Sequence, residues 1–385
     1  MKSRFLTLFL AAVLFLSACS SPGKGQSGNE PGTDEESTDQ SAEEKVTTTS
    51  NRPSKEYYRA IITDGEYKTS KSRGITQSLN STFNLKAFET GLSEVSQKEF
   101  STDTYFYQEG QYLDEKTINQ WLRRYNPEKG ENQNLEGLNP KDNGKLDENE
   151  RAPIYLNSIL EQDYMVQKDD GYQLGGISIG LAMNAIDYYQ KEKYGAYFET
   201  RIDHDELLKQ GKEMADKIVE RLRKMEGLKN VPITVGIFEQ SSQDSIAGGT
   251  YIASGTSKNG QSSIDKWEAL NNSKVVFPSE GSDSNEKNSF ANFKSEVETF
   301  FPNLSGITAE AAYTDDQLVS MKINIVTQFY GESEVIAFTQ HVNDKATKFL
   351  PPNIPIEINI SSIKGMEAFL ARETGKENFY THIFD

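Results

Sequence analysis

Cysteine is nearly absent: Cys19 is the only one in 385 residues. A lone thiol cannot close an intramolecular disulfide or build a zinc cluster. Histidine is almost as scarce, and His204, His341 and His382 lack the H-x-x-x-H spacing of a zinc-binding helix. Basic residues are outnumbered, with 41 Lys and Arg against 58 Asp and Glu and a formal net charge of −17. A chain this acidic is a poor partner for DNA, RNA or anionic lipid headgroups, so no nucleic-acid partner is expected. Beyond the N-terminus no segment approaches the length of apolar sequence that a spanning helix needs.

What is present begins at the N-terminus. Lys2 and Arg4 form a short positive region, and the run Phe5 to Leu16 is apolar except for Thr7. It is too short to cross about 30 Å of hydrocarbon as a permanent helix. A basic start, a short apolar stretch and small residues at its end mark an export signal that is removed, here residues 1–18. Leu16-Ser17-Ala18-Cys19 then resembles the lipobox of bacterial lipoproteins. The two small residues suit a narrow peptidase subsite, and the Cys19 thiol can form a thioether to diacylglycerol. That resemblance implies prolipoprotein diacylglyceryl transferase and lipoprotein signal peptidase as maturation partners. It also implies palmitate-type acyl chains and a place on the outer face of the cytoplasmic membrane. The alternative, an ordinary secretory leader followed by an incidental cysteine, leaves the single thiol without a use.

Residues 20–52 contain no aromatic residue and one large aliphatic, Val46. Such a stretch cannot bury enough apolar surface to offset chain entropy, so 19–52 is expected to be a lipidated cysteine and a disordered acidic tether. A flexible coil of this length spans about 30 Å.

The remaining chain divides, on this reading, into 53–170 and 171–385. The clearest helix is 204–226, where Leu207, Leu208, Met214, Ala215, Ile218, Val219, Leu222 and Met225 recur at three- and four-residue spacing. Asp203 and Glu206 form a capping box, and Gly227 suits a left-handed C-terminal cap. Asn230-Val231-Pro232-Ile233 then opens an alternating strand with proline at its start. The same pattern returns as Asn353-Ile354-Pro355-Ile356, after a weaker helix over 335–350. Strand-like residues precede each copy: 177–189 and 197–202 before the first, 318–330 before the second. The spacing predicts a duplicated strand–strand–helix–strand unit and an α+β fold with largely antiparallel sheet. Upstream, 84–98 and 116–125 are expected helices and 104–107 a strand. The polar segments 126–153 and 279–288 are expected loops.

Three patterns suggest chemistry. Gly176-Ile177-Ser178-Ile179-Gly180 matches the G-x-S-x-G nucleophile elbow, which needs a strand before the serine and a helix directly after it. Here the aliphatic residues alternate straight through, as inside one strand, so Ser178 is expected to be a strand serine. Asn139 to Glu150 places Gly sixth, Leu eighth and Glu twelfth like a calcium loop, but Lys141 stands where an oxygen ligand is needed. His204 and His341 fall near the starts of the paired helices, where helix-end roles are expected. The 18 Tyr and 20 Phe would allow stacking on cell-wall sugars, although core positions account for most of them. No catalytic residue, cofactor or metal is expected.

Four further stretches carry a resemblance to a known family: Arg73-Gly74-Ile75, Asn84 to Leu92, Tyr107-Gln108-Glu109-Gly110-Gln111-Tyr112-Leu113, and Gly137-Leu138-Asn139-Pro140. With the lipobox and acidic tether, they are similar to the CamS family of sex-pheromone lipoproteins of Gram-positive bacteria. That resemblance implies that the removed leader is trimmed to a short apolar peptide sensed during plasmid conjugation. Here the peptide would be Ala12-Val13-Leu14-Phe15-Leu16-Ser17-Ala18. The body is then expected to be a non-enzymatic binding or interaction protein of unknown ligand. A transporter's substrate-binding lipoprotein is the alternative and would need repeated βαβ patterns. A cell-envelope hydrolase would need a catalytic constellation.

Overall fold

Strands in this chain follow one another across their sheets almost in the order of the sequence. A computed structural model describes residues 45–169, 171–278, 284–301 and 306–384, which lie in one unit, Glu44–Asp385. The strands of the first half are β1 (Val46–Thr48), β2 (Arg59–Thr63), β3 (Tyr105–Glu109), β4 (Leu156–Lys168), β5 (Gly171–Asn184), β6 (Ile186–Gln190), β7 (Tyr197–Arg201), β8 (Ile233–Gln240), β9 (Thr250–Ser257) and β10 (Trp267–Ala269). Those of the second half are β11 (Asn272–Phe277), β12 (Gly306–Thr314), β13 (Gln317–Val326), β14 (Ile356–Ser362), β15 (Gly365–Arg372) and β16 (Tyr380–Ile383). The helices are α1 (Thr82–Ser96), α2 (Glu115–Leu122), α3 (His204–Leu222), α4 (Asn285–Glu298) and α5 (Glu332–Phe349).

An eight-stranded sheet runs β1-β2-β3-β4-β5-β8-β9-β10, and a six-stranded sheet runs β11 to β16 in sequence order. Strands β6 and β7 form a separate two-stranded ribbon. The fold is α+β with mixed, mostly antiparallel sheets. In the first sheet β4 and β5 pair antiparallel, β5 and β8 parallel, and β8 and β9 antiparallel. The second repeats this as β12–β13, β13–β14 and β14–β15. The two prolines of the repeated motif do the same work. Ile177 N–H donates to the Pro232 carbonyl at 3.1 Å, and Met321 N–H donates to the Pro355 carbonyl at 3.1 Å. Each proline thus ends the parallel ladder where its missing N–H costs nothing. The equivalence extends upstream, since β3–α2–β4 and β11–α4–β12 both join antiparallel neighbours through a helix.

Helix α3 keeps the expected start, with Asp203 accepting from the amides of Asp205 and Glu206. It ends earlier than expected, at Leu222, and Gly227 takes φ +82°. Its apolar face joins Ile118 and Trp121 of α2 over one face of the first sheet. Helix α1 covers the opposite face with Phe88, Leu92 and Val95. In the second sheet α4 and α5 pack on one face, where Phe290, Phe293, Phe338 and Val342 form the centre.

Several expectations need correction. The segment 197–202 belongs to the β6–β7 ribbon inserted between β5 and α3, and the strand that precedes β5 in its unit is β4. The expected division at 170/171 falls between β4 and β5, which pair along their length. Helix α4 occupies the end of the segment expected to be a loop over 279–288. Helix α5 starts at Glu332, so His341 lies in mid-helix, away from its start.

Candidate functional site

Strand β3 is five residues long and pairs with β4 only from Gln162 to Val166. Beyond Glu109 the edge of β4 has no strand beside it. There a cavity of about 440 Å³ opens between α1 and residues 70–76, lined by Arg73, Glu89, Tyr107, Glu109, Glu161 and Gln162 among others. Serine and threonine hydroxyls supply much of its remaining wall.

The part of β4 beside the cavity is unusual in its chemistry. Glu161 and Asp163 are both 1% exposed, two residues apart on β4 and therefore on one face of the sheet. After β3 the chain turns at Gly110 and lies directly across them. A Cβ at residue 110 would come within 2.6 Å of the Glu161 Cβ, so only glycine allows this approach. Three successive amides then point at the acids. Gln111 N–H donates to Asp163 Oδ2 at 3.0 Å, Tyr112 N–H to Glu161 Oε1 at 2.9 Å, and Leu113 N–H to Glu161 Oε2 at 2.7 Å. Asp163 Oδ1 is buried with no donor. Burial raises the Asp163 carboxyl well above its ordinary range, and the charge of Glu161 raises it further. Burial also raises Glu161, while its bonds to Asp163 and the loop amides oppose that shift. Two adjacent buried carboxyls with no buried cation cannot both ionise, so Asp163 keeps its proton and Glu161 takes the charge.

The same loop fastens the cavity wall. Glu109 accepts the Ser70 amide at 2.5 Å, and Lys71 N–H donates to the Gly110 carbonyl at 3.1 Å. Gly74 of the Arg73-Gly74-Ile75 stretch takes φ +99°, where a side chain would be strained. Across the cavity, burial and the charge of Glu109 raise the Glu89 carboxyl.

The other stretches of the resemblance also hold backbone in place. Asn84 is fully buried, accepts from Ser241 N–H at 3.1 Å and Gly249 N–H at 2.8 Å, and donates to the Ser241 carbonyl. Asn139 is fully buried, donates to the Leu122 and Leu156 carbonyls, and accepts from the Tyr155 and Leu156 amides.

Ser178 lies inside β5, fully buried, with its hydroxyl 2.6 Å from that of Ser96. The flanking glycines of the elbow-like motif have a packing cause. A Cβ at Gly176 would meet the Phe100 ring at 2.3 Å, and one at Gly180 the Phe88 ring at 2.8 Å. The motif is a strand that admits aromatic rings against its face. In the calcium-like loop, Asp142 accepts the Gly144 amide and Glu150 lies 3.4 Å from Lys145. His204 Nδ1 sits 2.7 Å from Glu239, His341 Nε2 sits 3.0 Å from the Glu296 carbonyl, and His382 stands on edge strand β16. Among the described residues no three His, Cys, Asp or Glu side chains are arranged to hold a metal ion. Likewise no described helix is long and apolar enough to cross a membrane. Cys19, its lipobox residues Leu16, Ser17 and Ala18, and the heptapeptide Ala12 to Ala18 lie outside the described residues.

Residues 67–378 match the family described as "CamS sex pheromone cAM373 precursor". The chain belongs to the CamS family. Its similarity to solved members is extensive. A sex pheromone precursor from Lactobacillus salivarius subsp. salivarius UCC118 is 42% identical, with a TM-score of 0.82 over 89% of this chain and 99% of that one. The C-terminal domain of the sex pheromone staph-cAM373 precursor from Staphylococcus aureus is 32% identical, with a TM-score of 0.68 over 81% of this chain and 99% of that one. No curated protein sequence matches. Glu161 and Asp163 went unmarked in the sequence of this CamS-family chain. Their one local sign is a pair of acids in alternate positions between apolar residues, Leu160-Glu161-Gln162-Asp163-Tyr164-Met165.

Proposed function

We propose that this CamS-family chain is a lipid-anchored protein of the outer face of the cytoplasmic membrane, with a leader processed to a pheromone peptide and a non-enzymatic binding body. One observation carries this: Leu16-Ser17-Ala18-Cys19 directly follows an apolar leader in a chain whose residues 67–378 match pheromone precursors. Diacylglyceryl transfer places two acyl chains on the Cys19 sulfur, and each buried methylene contributes about 0.8 kcal/mol, enough together for stable anchoring. Signal peptidase cuts before Cys19. Further trimming of the leader leaves Ala12-Val13-Leu14-Phe15-Leu16-Ser17-Ala18, an uncharged peptide able to leave the membrane and enter an apolar receptor groove. The body contributes binding through the polar cavity beside α1, where hydroxyls and carboxyls converge.

The test follows both products in one culture. Labelled palmitate is expected to enter the wild-type protein and not Cys19→Ala, which stays unprocessed. Mass spectrometry is expected to find the Ala12–Ala18 heptapeptide in the wild-type medium, and cells carrying a pheromone-responsive conjugative plasmid to raise their transfer frequency on receiving it. A wild-type protein without label contradicts the anchor. A medium without the heptapeptide contradicts the pheromone role.

A further inference from the structure

We propose that Glu161 and Asp163 form a proton-operated latch: one proton shared by the two carboxyls lets loop 110–113 close over them, and its loss loosens that loop and the 70–76 wall of the adjoining cavity. The geometry stands apart from the lipid anchor and the pheromone. Two side chains of like ionisation lie almost fully buried side by side, and three consecutive amides from one loop bond to them. One oxygen, Asp163 Oδ1, has neither a protein donor nor exposure to solvent. A carboxylate oxygen left so is strongly disfavoured, whereas a protonated Asp163 turns that group into a donor for the Glu161 carboxylate.

The groups around the pair do not replace that proton. Beside β4, β5 contributes apolar Ile177 and Ile179 opposite the two acids. From β3, Glu109 adds negative charge, and from α1 Glu89 does the same on the far wall. Tyr112 in the loop and Tyr164 on β4 are neutral, because burial raises both phenols. At the start of α2, Asp114 turns to its own helix, accepting the Thr117 amide. Lys71 is the cation that acts on Asp163, from an exposed position where water screens it, and Arg73 is exposed on the cavity wall. Asp163 accordingly stays protonated through the range in which an exposed aspartate has ionised.

Opening the loop exposes the pair and returns both acids to ordinary behaviour. The closed form therefore holds one proton more than the open form at pH values above the ordinary aspartate range, and closure weakens as pH rises until Asp163 ionises in place. The movement is transmitted through Gly110, which is bonded to Lys71, and Glu109, which is bonded to Ser70.

Hydrogen exchange of the mature lipoprotein in detergent, corrected for intrinsic rates, tests this between about pH 5 and pH 9. Protection of the amides of residues 111–113 is expected to fall about tenfold per pH unit in wild type, with 70–76 following. In Asp163→Asn, whose amide can donate to Glu161 at any pH, protection is expected to stay flat. Difference infrared spectra of the wild type at neutral pH are expected to show a protonated carboxyl band that Asp163→Asn lacks. Flat protection in the wild type, the same pH slope in Asp163→Asn, or absence of that band would each overturn the proposal. The pH dependence of protection in the wild type needs no variant, so a flat profile there overturns the proposal even where Asp163→Asn fails to fold.

Discussion

The hydroxyls of Ser96 and Ser178 lie 2.6 Å apart between α1 and the first sheet, both fully buried. Ser96 also donates to the Leu92 carbonyl at 2.6 Å, the standard back-bond of a helical serine. The Ser96 hydroxyl thus faces two acceptors, the Leu92 carbonyl and the Ser178 oxygen. Ser178→Ala is expected to cost about 1 kcal/mol in urea unfolding, since Ser96 keeps its helix bond. The variant is expected to show no change against ester substrates. A much larger loss of stability would contradict the view that the Leu92 bond suffices for Ser96.

Glycine at 110 is required by contact. Gly110→Ala brings its methyl to 2.6 Å from the Glu161 Cβ, 2.7 Å from its Cγ and 2.8 Å from its Cδ, in a side chain held at its far end by loop amides. The expected cost is about 1–3 kcal/mol, read as a lower thermal midpoint. Gly171→Ala is the control, with nothing within 4 Å of the added carbon, and is expected to cost less.

Asn139 joins the end of α2 to the start of β4 through four hydrogen bonds. Asn139→Ala leaves several buried backbone groups unpaired. The expected loss is about 3 kcal/mol or more by denaturant unfolding. Asn139→Asp should fail nearly as badly, because a carboxylate faces the two carbonyls that the amide group supplied.

Arg151 and Asp187 form an ion pair at 2.6 Å with side chains 8% and 7% exposed. Arg151 also lies over the Tyr189 ring at 3.8 Å, so the pair ties the 126–153 segment to the β6–β7 ribbon. Arg151→Met strands a buried carboxylate and is expected to destabilise by about 3–5 kcal/mol. Adding Asp187→Asn is expected to recover part of that loss, which a double-mutant cycle measures.

Stability should also follow pH through Asp163. Its folded-state carboxyl is raised, so its contribution is complete below about pH 4 and declines as pH rises toward the folded titration. The slope is expected to reach about 1.4 kcal/mol per pH unit. Asp163→Asn should flatten that decline and be more stable than wild type at alkaline pH. An identical pH profile for the two proteins would contradict the assignment of the proton to this residue.

Periodicity and punctuation were enough, without any structure, to place α3, β8 and β14, because capping residues, prolines and single-faced apolar patterns act within a few residues of themselves. The same locality made Gly176 to Gly180 readable as strand. Sequence also carries the charge balance, the apolar run near the N-terminus and the single thiol at Cys19, which depend on no fold. Tertiary structure decided the rest. Strand β4 was missed as the partner of β5 because Glu161, Gln162 and Asp163 interrupt its apolar alternation, and their burial becomes possible only when loop 110–113 brings three amides to them. Helix α4 was missed because its apolar residues are few until Phe290, Phe293 and Val297 meet α5. Whether an acid in a strand faces water or shares a proton in the interior is set by what the distant chain lays over it, and no local pattern encodes that.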